Sequence, residues 1–180
     1  MRVLILHGWG GSDYPHWQAK LASKLACNYK RVYFPLLKNP HFPTLKSWLE
    51  QLKEIMEDFK PTVVVCHSLA NNLWFWYASQ NSADIDRLYL VAIPSLNTKE
   101  ETIKSFFPCP LPNNLGAKEV KIIASTNDIW CKIDEVKEIS QKFGASLKIL
   151  EDAGHINADS NYGNWSWIFN EFELKHSCED

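Results

Sequence analysis

The sequence predicts an α/β fold: a three-layer α/β/α sandwich on a mostly parallel sheet of about five or six strands. Three observations predict it. Short apolar segments recur along all 180 residues with helical stretches between them, and that alternation is the pattern of βαβ units. The apolar segments are continuous rather than alternating, as strands buried on both faces must be. The polar residues able to do chemistry follow directly on the ends of those segments, where sheets of this kind carry their sites.

The first predicted strand covers residues 3–6 (Val-Leu-Ile-Leu), and the second covers 31–34 and is stopped by Pro35. The third covers 62–65, the fourth 88–91 with a stop near Pro94, the fifth 120–124 and the sixth 147–150. Helices fill the gaps. Residues 16–27 carry Trp17, Leu21 and Leu25 on one face. Residues 44–59 carry Leu45, Trp48, Leu49, Leu52, Ile55 and Met56 at helical spacing, with Thr44 after Pro43 as the N-cap. Residues 69–80 are apolar nearly all round, which requires burial on several faces. Residues 133–143 end at Gly144, a helix stop signal, and 162–174 form a last helix with one aromatic side. Residues 1–174 read as one domain and 175–180 as a frayed tail. The Pro-rich stretch 106–112 is the clearest irregular region; it could form a small cap over the site, and the sequence leaves that open.

Composition excludes several functions. The formal net charge is −2 and no basic run exists, so nucleic-acid binding is not expected. Five cysteines without a C-x-x-C pair argue against a disulfide framework, against a thiolate zinc site, and for a cytoplasmic location. Four apolar residues at the start are too few for a signal-peptide core or a membrane span. No H-E-x-x-H or similar spacing suggests a metal, and no cofactor is expected; Gly8-x-Gly10-Gly11 falls short of a dinucleotide fingerprint.

The chemistry gathers on Ser68. The run Val63-Val64-Val65-Cys66-His67-Ser68 passes straight into the apolar stretch beginning at Leu69. Strand, sharp turn and helix in that order lift a serine hydroxyl above the sheet end, the geometry of a nucleophile elbow. The usual G-x-S-x-G has Cys66 and Ala70 in place of its glycines. A serine needs a base to take its proton and an acid to orient that base. The fifth strand runs into Asp128 and the sixth into His155, giving the order Ser68, Asp128, His155 expected of α/β-hydrolases. Leu69 supplies one oxyanion N–H, and Trp9 or Gly10 in the glycine loop supplies the other. Among eight tryptophans, Trp9 and Trp130 sit beside these motifs and are candidates to line a substrate pocket.

Together these motifs resemble the small serine hydrolases of the retinoblastoma-binding protein 9 and YdeN type, a branch of the α/β-hydrolase superfamily. The resemblance rests on His7-Gly8-Trp9-Gly10-Gly11 with Trp17 after it, on Ala124-Ser125-Thr126-Asn127-Asp128, and on Ala153-Gly154-His155. It covers nearly the whole chain. It implies a compact hydrolase without a large lid and no defined physiological substrate; a small-molecule acyl substrate is expected from the ordered Ser68, Asp128 and His155, and composition leads to no nucleic-acid or membrane partner. The L-x-C-x-E motif is absent, so a retinoblastoma partner is not implied.

Other residues compete for these roles. His7 reads as a loop-ordering residue, His67 as structural, and His16 and His41 as surface or loop residues. Asp128 is preferred to Asp152, which can bond locally to backbone, and to Asp134, placed in the first turn of a helix. Cys66 reads as an inert small hydrophobe. The leading expectation is a serine hydrolase acting on small esters or related acyl compounds. The alternative is a catalytically weak hydrolase-fold binding protein, motivated by the altered elbow.

Overall fold

The computed structural model describes residues 1–28 and 30–172. Six strands, β1 (Arg2–Leu6), β2 (Arg31–Tyr33), β3 (Val63–His67), β4 (Ile85–Val91), β5 (Ala117–Ser125) and β6 (Ser146–Leu150), form one sheet in the order β2-β1-β3-β4-β5-β6. Every pairing is parallel. The helices are α1 (Trp17–Cys27), α2 (Leu45–Phe59), α3 (Leu69–Gln80), α4 (Ile133–Phe143) and α5 (Ser166–Asn170). The three-layer α/β sandwich therefore stands as expected.

Alternation along each strand divides the core in two. Leu4, Leu6, Val64, Cys66, Leu88, Leu90, Ile122 and Ala124 face a cluster that holds the buried side chains of α2, α3 and α4. Val3, Ile5, Val63, Val65, Tyr89, Val91 and Ile123 face the other side, against Trp17, Leu21 and Leu25 of α1 and Ile168 of α5. Helix α3 lies inside the first cluster with Trp74 and Phe75 fully buried, which is why its sequence is apolar on most sides. The chain winds from β1 to β2 in one direction and from β3 outward in the other. The crevice where winding reverses lies above the adjacent ends of β1 and β3, where Leu6 pairs with Cys66.

Three expectations are corrected. Helix α1 starts at Trp17, and His16 is its N-cap, accepting from the Gln18 N–H through Nδ1 at 3.1 Å. His16 is also buried, not a surface residue. The last helix begins at Ser166 rather than 162, because the preceding turn is pinned to the start of α1. There the Trp17 N–H donates to Tyr162 O at 3.1 Å, and a Cβ on Gly163 would stand 2.9 Å from Pro15 O. Residues 173–174 of that predicted helix and the tail 175–180 lie outside the described residues. The sequence leaves open where residues 106–112 lie, and the structure places them. Phe106 is fully buried and accepts the Trp76 indole N–H at 2.9 Å, and Cys109 Sγ lies 3.6 Å from Asn72 O, so the segment packs along α3.

Candidate active site

Ser68 follows β3 directly and starts α3 with φ 55° and ψ −128°, a conformation strained for any residue with a side chain. Three groups hold it there. Its N–H donates to Val91 O at 3.0 Å. The buried Asn71 amide donates to Ser68 O and to Val91 O, both at 2.8 Å. Gly8 packs against it so closely that a Cβ there would sit 2.6 Å from Ser68 Cβ. Cys66 and Ala70, the substituted elbow positions, are both at 0% exposure, so the turn accommodates them in the core. Burial pushes the Cys66 thiol strongly up and keeps it protonated.

Two loops bring the other groups in. After β5, Ser125 Oγ donates to Asn127 Oδ1 at 2.8 Å and accepts the Ala153 N–H at 2.9 Å, while Asn127 Oδ1 accepts the Gly154 N–H at 2.7 Å. These bonds fasten the loop carrying Asp128 to the loop carrying His155. Asp152, Gly154 and Ile156 take left-handed φ values of 49°, 54° and 49°, which coil the second loop tightly. For the β-branched Ile156 that conformation is a real strain. It is held by the Trp17 indole N–H, which donates to Ile156 O at 2.8 Å.

The result is a continuous hydrogen-bonded chain. Ser68 Oγ lies 2.7 Å from His155 Nε2, and His155 Nδ1 lies 2.8 Å and 3.0 Å from the two Asp128 oxygens. A carboxylate only accepts, so the imidazole proton is on Nδ1 and Nε2 is free to accept from the serine. Asp128 Oδ1 also accepts the Trp130 N–H at 2.9 Å. The side chains of His155 and Asp128 are 12% and 4% exposed, so the pair works largely out of water. The rivals stand elsewhere: Asp134 pairs with Lys137 at 3.0 Å, and the Asp152 N–H bonds to Thr126 Oγ1 at 3.0 Å.

Of the expected oxyanion donors, Gly10 is corrected, because its N–H is committed to Pro40 O at 2.9 Å. Leu69 heads α3, where N–H groups have no partner within the helix. The close packing of Gly8 on Ser68 places the Gly8–Trp9 peptide beside the nucleophile. Trp9 and Trp130 meet edge-on at 6.2 Å, and Trp130 stands 6.2 Å from the His155 ring. His7 is a buried strut: its Nε2 accepts the Leu37 N–H at 2.8 Å and its Nδ1 lies 2.7 Å from Gly8 O. The roles of Asn71, Ser125 and Asn127 were not read from the sequence. The only signal was their polar character inside apolar or strand-end surroundings.

Behind the site lies a row of imidazoles. His67 Nε2 donates to the His155 carbonyl at 3.0 Å, and the His16 and His67 rings are 4.9 Å apart. Burial holds His16 down at about 4 and holds His67 well below the ordinary histidine range. Burial lowers His7 as well. The unfolded chain thus binds more protons than the folded one at pH values below the ordinary histidine value near 6.5. Stability contributed by neutral His16 is full above that value and is lost as pH falls toward 4. By pH 5 the loss from His16 alone is about 2 kcal/mol. A series of thermal melts from pH 7.5 to 5 should show a falling Tm, and the slope should be shallower in His16→Asn.

Among the described residues no group of three or more His, Cys, Asp or Glu side chains is arranged to hold a metal ion. None of their helices is long and apolar enough to cross a membrane.

Comparison with known proteins gives a family and a fold. The family model described as serine hydrolase matches residues 3–173. The structure of the ydeN gene product from B. subtilis superposes with a TM-score of 0.84 at 21% identity, covering 94% of this chain and 95% of that one. A YdeN-like hydrolase from Pectobacterium atrosepticum gives 0.76 at 18% identity over 94% and 87%. A hydrolase of the alpha/beta superfamily from Xanthomonas campestris gives 0.67 at 21% identity over 94% and 96%. These likenesses show the fold. No match was found among proteins of curated function.

Proposed function

The chain belongs to the serine hydrolase family, and from that premise we propose that it cleaves small esters or related acyl compounds through an acyl-enzyme on Ser68. The observation that carries this reading is the 2.7 Å contact between Ser68 Oγ and His155 Nε2, continued from Nδ1 to Asp128.

In this reading, Ser68 Oγ attacks the acyl carbon as its proton passes to His155 Nε2, and the carbonyl oxygen takes the negative charge. The N–H groups of Leu69 and Trp9 stabilise that oxyanion. Asp128 stays ionised and stabilises the imidazolium. The C–O bond to the leaving group then breaks, and His155 returns the proton to the departing alkoxide oxygen. Water repeats the sequence on the acyl-enzyme and releases the carboxylic acid. Trp9 and Trp130 form the wall that meets the substrate.

The test is rapid mixing with p-nitrophenyl acetate. The expected result is a burst of about one equivalent of p-nitrophenol per enzyme, with an acetyl adduct on the Ser68 peptide after acid quench. An adduct on another residue, or turnover with no adduct, contradicts the reading.

A further inference from the structure

Resting on that reading, we propose that the site takes esters bearing a medium-length hydrocarbon chain, and that Phe42 and Ile129 extend the Trp9–Trp130 wall to hold it. Among the described residues, the four large apolar side chains most exposed are Ile129 at 89%, Tyr14 at 78%, Phe42 at 77% and Leu36 at 66%. All four lie on loops that follow β1, β2 or β5, at the end of the sheet that carries Ser68. Isolated exposed apolar residues are ordinary, so the set matters only where its members continue a wall of the site.

Two of the four continue the wall. The Trp9 indole N–H donates to His41 O at 2.9 Å, which seats that ring against the turn closed by the Phe42 N–H on Asn39 O at 2.9 Å. Ile129 is the tip of the turn that the Trp130 N–H closes on Asp128. His155, Trp130 and Trp9 follow one another at centroid spacings of 6.2 Å. An apolar path therefore leads from the reacting atoms across two indoles, with Phe42 and Ile129 on the loops at either side.

The remainder of the cleft is unlike this path. Ser12, Asp13, Asn157 and Asp159 line it, without a lysine or arginine among its walls. A hydrocarbon chain gains less there than it gains by burial along the indoles. A chain on an open wall is about half buried, so each added methylene should raise kcat/KM about twofold until the wall ends. The chain can belong to the acyl half or the alcohol half of the ester, and two substrate series separate these.

The test measures kcat/KM for p-nitrophenyl esters from acetate to decanoate, and for acetates of ethanol through octanol. The expected result is a rise through hexanoate or octanoate in one series, and a fall of about tenfold in the long-to-short ratio in Phe42→Ser/Ile129→Ser. Phe42→Leu should keep most of the ratio. Both side chains are exposed, so the variants should fold, as a thermal melt checks. Turnover that is flat in both series, or a rise that survives in the double variant, overturns the inference and leaves the Ser68 chemistry standing. Inactivity toward every ester, with Ser68 never acylated, overturns both.

Discussion

Ser68→Ala should lower kcat for ester hydrolysis by about 10⁶-fold while leaving the melting temperature unchanged or higher. Removing one member of a serine–histidine pair costs about as much as removing the whole set, because the members act as a unit. Cys66, two residues away, is not placed to substitute. Cys66 is buried and held protonated, and its side chain turns into the core on the face below α3. The fold should tolerate the change, since the Ser68 main chain keeps its bonds to Val91 and Asn71. Only a hydroxyl held at φ 55° is removed, and nothing in the core depends on it. Steady-state kinetics with a thermal melt check both halves. Activity within tenfold of wild type would be incompatible with a Ser68 acyl-enzyme.

Asp128→Asn should lower kcat by about 10⁴-fold with little change in KM. The carboxylate now accepts from His155 Nδ1 and so fixes the proton there. A carboxamide can turn its NH2 toward Nδ1, which moves the imidazole proton to Nε2 and removes the acceptor that Ser68 needs. The loop should hold its shape, because Ser125 and Asn127 tie it to residues 153–154 without using Asp128. Asp152→Asn serves as the control. Its side chain is exposed and its N–H bond to Thr126 is unaffected, so activity should stay near wild type.

Much of this was legible in the sequence for a physical reason. Parallel strands buried on both faces must be apolar throughout, so Val3–Leu6 and Val63–Val65 stood out, and the polar residues ending each strand fell at one edge. The structure brings Ser68, Asp128 and His155 together from three such ends. What escaped were long-range contacts. His67 reaches the carbonyl of a residue far along the chain, and Gly10 gives its N–H to Pro40. Burial of His16 depends on its ring meeting His67 at the end of β3, which periodicity over residues 16–27 does not reveal. The late start of α5 has the same origin, since Gly163 is held against Pro15 by tertiary packing rather than by any local helix signal. The place of the Pro-rich segment was not legible, because proline content marks irregular backbone and says nothing about which face it covers.

The central claim is that Ser68 is an activated nucleophile served by His155. Labelling with a fluorophosphonate tests it most directly, read by intact mass and peptide mapping on wild type, Ser68→Ala and His155→Ala. The account predicts a single phosphonyl adduct on Ser68 in wild type, none in Ser68→Ala, and labelling slowed by orders of magnitude in His155→Ala. Folded wild-type protein that takes no adduct, or takes it on another residue, would contradict the account and favour a hydrolase fold used for binding.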